Sequence, residues 1–182
     1  MTVDSLFENQ QQNLFLLINE DSDDVFIDRR AMVMNSPSIG QHKAIESVLS
    51  HFKDKYYLHV EDDWRFDNSY DWIAESVKIM EADPTIIKVL CRNGSPHPCT
   101  HDRVSESGIA YGILEPWEND GITWSGFSWN PGVTHLDLLK QFIPFGKHEQ
   151  DLAEAIHQAG YKIAELSTPI YTHIGHGRST HE

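Results

Sequence analysis

The chain is short of positive charge. Its 182 residues hold 14 Lys and Arg against 28 Asp and Glu, a formal net charge of −14. A general nucleic-acid binder needs a basic footprint, so that class is excluded. Room remains for one local basic pocket that takes a nucleotide. Cysteine is scarce too. Cys91 and Cys99 do not make a disulfide framework. No apolar run approaches the roughly 20 residues of a membrane span. The N-terminus shows no basic region followed by an apolar one, so no signal peptide is visible. A cytoplasmic, soluble protein without a membrane span is the simplest expectation. Repeats and low-complexity segments are also missing. A chain of this length buries roughly 70% of its unfolded surface in one domain.

What is there is organised around Tyr56-Tyr57-Leu58-His59-Val60-Glu61-Asp62-Asp63. Tyr56 to Val60 read as a short buried strand. Three carboxylates follow at once. In open α/β sheets, ligands bind beyond the carboxyl ends of strands. Clustered oxygen ligands there suit Mg²⁺ or Mn²⁺, ions that also bind substrate phosphates. An acidic surface turn after an edge strand would read the same way.

Before this stretch, Thr2–Gln11 has a helical pattern. Residues 13–19 and 31–35 read as strands. Ser38 and Gln41 have capping-box spacing at the start of a helix whose apolar face is Ala44, Ile45, Val48, Leu49 and Phe52. Lys43 lies off that face, near a helix N-terminus, where a phosphate would be favoured. A solvated surface lysine fits equally. After the triplet, Asn68 or Ser69 is placed to cap a helix that ends at Asp83-Pro84. Residues 86–91 make the next strand. This alternation predicts an α/β fold with a mainly parallel central sheet flanked by helices.

The second half is less regular. Trp117, Trp124 and Trp129 offer an aromatic platform for a sugar ring, or simply core. Asn130-Pro131-Gly132 reads as a turn, and Thr134–Phe142 as a helix. Glu149 opens a further helix, with Gly160 as its C-terminal cap. The helix dipole keeps a carboxylate ionised there, as a general base requires. Acidic residues also sit at helix starts merely for stability. His173 or His176 follows a short strand and could complete a metal site. Cys91, His97, Cys99 and His101 are zinc-binding residue types, but Cys-x-His and Cys-x₇-Cys are not the usual structural-zinc spacing.

Taken in order, these pieces resemble the GT-A nucleotide-sugar glycosyltransferases, family 2-like members especially. Asn35–Phe52 resembles the strand, loop and helix before the metal motif. Tyr57–Asp63 resembles the hydrophobic strand and Asp-x-Asp motif, with Glu in first position. Phe127–Gly132, Glu149–Leu152 and Ala159–Ile163 resemble the acceptor loop and base-bearing helix, and Tyr171–Gly175 the terminal strand and its histidine. The resemblance implies one domain over 1–182 of GT-A type. Its nucleotide-binding half would be about 1–92 and its acceptor-binding half about 93–182. It implies a metal-dependent, inverting glycosyltransferase acting on a nucleoside-diphosphate sugar and a hydroxyl acceptor such as a glycan. Asp63 would ligate Mn²⁺ or Mg²⁺, with Glu61 and His173 assisting and His176 as the fallback. Glu61 and Asp62 would lie by the ribose or the metal water, Lys43 or Arg178 would add positive charge, and Glu149 would be the base. The usual first strand is missing from the pattern, so a catalytically silent glycan- or nucleotide-binding protein is a rival expectation. A metal-dependent phosphohydrolase is another.

Overall fold

The computed structural model describes residues 2–7, 16–20, 31–35, 40–61, 63–67, 70–91, 98–119 and 122–174. The chain begins with α1 (Thr2–Phe7), β1 (Leu16–Glu20), β2 (Ala31–Asn35) and α2 (Gln41–Leu49). Next come β3 (Tyr56–His59), β4 (Trp64–Phe66), α3 (Trp72–Ala82) and β5 (Ile86–Leu90). Four short strands follow: β6 (Arg103–Val104), β7 (Ala110–Ile113), β8 (Trp117–Asn119) and β9 (Ile122–Trp124). The remainder is β10 (Gly132–His135), α4 (Leu136–Lys140), α5 (Glu149–Gln158), β11 (Lys162–Leu166) and β12 (Tyr171–His173).

The main sheet has six strands in the order β3-β10-β5-β11-β7-β6. Within it only β5 and β11 run parallel; the other pairings are antiparallel. The expected mainly parallel sheet of GT-A type is therefore wrong. This is a mixed, mostly antiparallel sheet accompanied by short helices. The error has a physical source at Gly132. Pro131-Gly132 reads as a turn, but the glycine opens β10, which slots antiparallel between β3 and β5. A Cβ on Gly132 would lie 2.5 Å from the Val89 carbonyl oxygen and 3.0 Å from Leu90 Cα. The glycine serves close backbone approach, the other meaning of glycine in a strand. The helix expected over Thr134–Phe142 accordingly shrinks to α4.

Among the described residues, three two-stranded ribbons lie outside the main sheet: parallel β1–β2, and antiparallel β4–β12 and β8–β9. In the second of these, His173 pairs with Trp64 and Tyr171 with Phe66. α1 leans on the same ribbon, where the Phe66 N–H donates to Ser5 Oγ at 3.1 Å.

Apolar residues form two clusters. One joins α3 (Trp72, Ile73, Ile79, Met80) to Ile86 and Val89 of β5. The other joins α2, α4 and α5 to Ile87 and Leu90 of the same strand. Neighbouring β5 residues thus enter different clusters, as the pleat requires. The register against β11 slips at this point: Ile86 faces Lys162, but Lys88 faces Ile163. That bulge turns both Ile87 and Lys88 toward the second cluster, and bulges commonly re-aim side chains in this way. The helix ends are set locally. α3 is capped by Asp71, whose Oδ1 accepts from the Ala74 N–H at 3.1 Å; Asn68 and Ser69 lie outside the described residues. α2 starts after Gly40, at φ 83°, and the proposed Ser38 cap is likewise outside them.

Candidate functional site

The carboxyl end of β3 and the β4–β12 ribbon bring together residues far apart in sequence. Asp63 follows β3, and His173 ends β12. Register pairing of β4 with β12 sets His173 opposite Trp64, beside Asp63. The result is a 2.7 Å contact between His173 Nε2 and Asp63 Oδ2, across 110 residues. The Ile174 N–H also donates to the Asp63 carbonyl at 2.8 Å. Asp63 Oδ1 is shut off from solvent and has no hydrogen-bond partner among the described residues. Buried carboxylate oxygens are normally satisfied, so this atom calls for a ligand. The Trp64 ring lies 4.4 Å from the His173 ring, tilted by 38°, and fixes its orientation.

Glu61 is exposed two residues earlier. Gln41 Nε2 donates to its Oε1 at 2.8 Å, and Trp64 Nε1 to its Oε2 at 3.4 Å. His59 Nε2 lies 3.8 Å from Glu61 Oε1. Burial lowers the His59 pKa, against the opposing pull of Glu61. Two of the expected metal ligands, Asp63 and His173, therefore touch; Glu61 stands at the same strand end but does not join them in a three-ligand cluster. Lys43 is exposed on α2 and forms no ion pair with a described residue. Asp62, His176 and Arg178 lie outside the described residues.

Glu149, in the first turn of α5, turns inward. Its Oε1 accepts from the Trp129 backbone N–H. Burial raises its pKa; that bond, Lys88 and His42 pull the other way, and Glu61 adds to the rise. The mutual influence of Glu61 and Glu149 puts both in one electrostatic neighbourhood. Asp151, the nearby alternative, is exposed and accepts from the His148 N–H at 2.9 Å, which is a helix-start role.

Lys88 is the residue that sequence reading missed. It is fully buried. Its Nζ donates to the Ser128 carbonyl at 2.6 Å and lies 4.9 Å from the Phe127 ring and 5.8 Å from the Trp129 ring. Burial pulls its pKa down to about 8, with Glu149 the strongest opposing influence. The signal was present in the sequence: one lysine inside the apolar run Ile86-Ile87-Lys88-Val89-Leu90. Charges in a buried strand persist only with partners.

The tryptophans divide. Trp129 is 3% exposed and is core; its ring meets His42, His59 and Phe145 at 6.0, 5.7 and 5.5 Å. Trp117 and Trp124 are partly buried and pair directly across the β8–β9 hairpin. No protein-family model matches the chain, and a search of curated proteins finds none that matches it. No described helix is long and apolar enough to cross a membrane.

Proposed function

We propose that this protein transfers a sugar from a nucleoside-diphosphate sugar to a hydroxyl acceptor, with a divalent cation held at Asp63 and His173. One observation carries the reading: the Asp63–His173 contact, made across 110 residues, with Asp63 Oδ1 buried and unpartnered among the described residues. The residue types suit Mn²⁺ or Mg²⁺: Asp63 offers a carboxylate oxygen and His173 an imidazole nitrogen, which hard and borderline divalent ions accept, with Glu61 at the same strand end but outside ligand distance of the pair. Such an ion supplies Lewis acidity toward a leaving diphosphate.

The remaining roles belong to the chain itself. Glu149 is the base that takes the acceptor hydroxyl proton. Its raised pKa brings it closer to neutral pH, where general bases work best. Its place on a helix, gripped by the Trp129 N–H, holds it on a rigid element. Direct attack by that acceptor inverts the anomeric centre. Lys88 adds a positive charge within the same field.

The test is turnover with a panel of nucleoside-diphosphate sugars, simple glycans and Mn²⁺. A true donor at 100 times its Kd raises stability by about 2.7 kcal/mol, visible as a thermal shift. Asp63→Asn keeps the shape and removes the charge. It should weaken metal-dependent nucleotide binding at least tenfold, about 1.4 kcal/mol. Equal nucleotide affinity with and without metal, in both proteins, overturns the reading. So does phosphate release from simple esters with no need for a sugar nucleotide.

A further inference from the structure

We propose that Cys99, His101 and Glu165 form a zinc site with three protein ligands and a fourth position open to water, separate from the Asp63–His173 pair. One ligand atom from each lies within 4.8 Å of the others. Cys99 Sγ is 3.8 Å from His101 Nε2, and His101 Nε2 is 3.6 Å from Glu165 Oε1. Zinc with bonds of about 2.3 Å to sulfur and about 2.0–2.1 Å to nitrogen and oxygen, at tetrahedral angles, needs edges of about 3.6 and about 3.4 Å. The two edges through His101 are longer by only a few tenths of an ångström, and the Cys99–Glu165 edge lies within 4.8 Å. A thiolate beside an imidazole favours zinc over magnesium or manganese.

The frame around these atoms is rigid. Glu165 is 1% exposed, on a strand paired on both sides, with Leu90 opposite it on β5 and Gly112 on β7. The segment carrying Cys99 is tied to the end of β7 by a bridge to Leu114 and by the Glu115 N–H donating to the Pro98 carbonyl at 3.0 Å. Gly112 makes room for it. A Cβ there would lie 2.6 Å from Cys99 Sγ and 2.5 Å from the Thr100 carbonyl oxygen. The strand thus carries a glycine where the sulfur must lie close, directly across from the carboxylate. His101 is 23% exposed at its side chain, so water reaches the site.

The site is distinct from the first one. Glu165, Leu90, Gly132 and His59 form one row of register partners across the main sheet. Three strand spacings separate Glu165 from His59, about 14 Å. The spacing that argued against zinc in sequence considered cysteine and histidine alone. The third ligand is a glutamate far downstream.

Cobalt substitution tests the proposal without any activity assay. Co²⁺ added to the metal-free protein should give a thiolate-to-metal charge-transfer band and tetrahedral visible bands that saturate at one equivalent per Cys99 and that Zn²⁺ bleaches. Cys99→Ser should abolish the charge-transfer band, and His101→Gln should weaken Zn²⁺ binding at least tenfold. Both side chains are partly exposed, so these variants keep the fold, whereas Glu165→Gln disturbs a buried residue. Asp63→Asn should leave the thiolate-to-metal charge-transfer band unchanged. The absence of a charge-transfer band in the unsubstituted protein overturns the proposal, as does a band that survives Cys99→Ser or disappears in Asp63→Asn.

Discussion

Replacing Lys88 with methionine removes the buried ammonium and keeps most of the side-chain volume. The pKa of Lys88, about 8, lies below its ordinary 10.5. Between those values the unfolded chain holds a proton that the folded chain has lost. Stability therefore rises with pH across that window, because the unfolded state binds more protons there. Below about pH 8 both states are protonated, and the full burial penalty is present. The gap is 2.5 pH units by the two values, and each unit is about 1.4 kcal/mol. From pH 7.5 to 10.5, the native protein should gain about 3 kcal/mol relative to the methionine variant. Only the difference between the proteins is informative. Cys91 and Tyr57 have pKa values raised by burial and destabilise both proteins at high pH. Urea unfolding at several pH values, fitted for both chains, gives the difference curve. A flat curve means the ammonium is not desolvated. A falling curve means that Lys88 is stabilised in its charged form, and the account of the site fails.

Two further outcomes are expected. Glu149→Gln should fold and bind nucleotide as before while turnover falls roughly 10²-fold to 10⁴-fold; loss of donor affinity instead of turnover assigns Glu149 to binding. Asp151→Asn is its control and should affect only the helix start, by about 1 kcal/mol or less. Gly132→Ala should destabilise by about 3 kcal/mol or more, since over-packing costs typically 1–3 kcal/mol and here the obstacle is the Val89 backbone. A chemical melt with an unmoved midpoint would show that β10 does not press on β5.

The sequence was most legible where periodicity was strong. α3, β5, α5 and β11 fall close to where their apolar spacing puts them. β2 matches at both ends. Asp63 and His173 were singled out by residue type at strand ends, and the structure brings those two into contact. Strand direction was not legible. β10 is four residues long and contains a glycine, so nothing in it announces a central strand. Its insertion between β3 and β5 introduces two antiparallel pairings into the sheet. β6, β8 and β9 are two or three residues long and too short to show a period. Cys99 and His101 are zinc-binding residue types whose spacing spoke against zinc, and Glu165, which the structure brings beside them, sits in a strand whose pattern reads as plain β structure.

Lys88 and Glu149 illustrate how a buried charge is kept useful. No direct ion pair joins them. The Ser128–Trp129 peptide stands between: its carbonyl accepts from Lys88 Nζ, and its N–H donates to Glu149 Oε1. The two bonds polarise one amide in the same sense, so each strengthens the other. A direct contact would hold Glu149 tightly as an ion and depress its pKa. With the charge relayed through a peptide, burial prevails and the pKa of Glu149 stays raised. The bulge that turns Lys88 inward and the first turn of α5 meet at this peptide. A carboxylate held in place yet still ready to take a proton is what a base requires. Lys88→Met should therefore shift the Glu149 pKa further upward and move the acid limb of the turnover–pH profile to higher pH. Movement to lower pH would show that the relay is not what tunes Glu149.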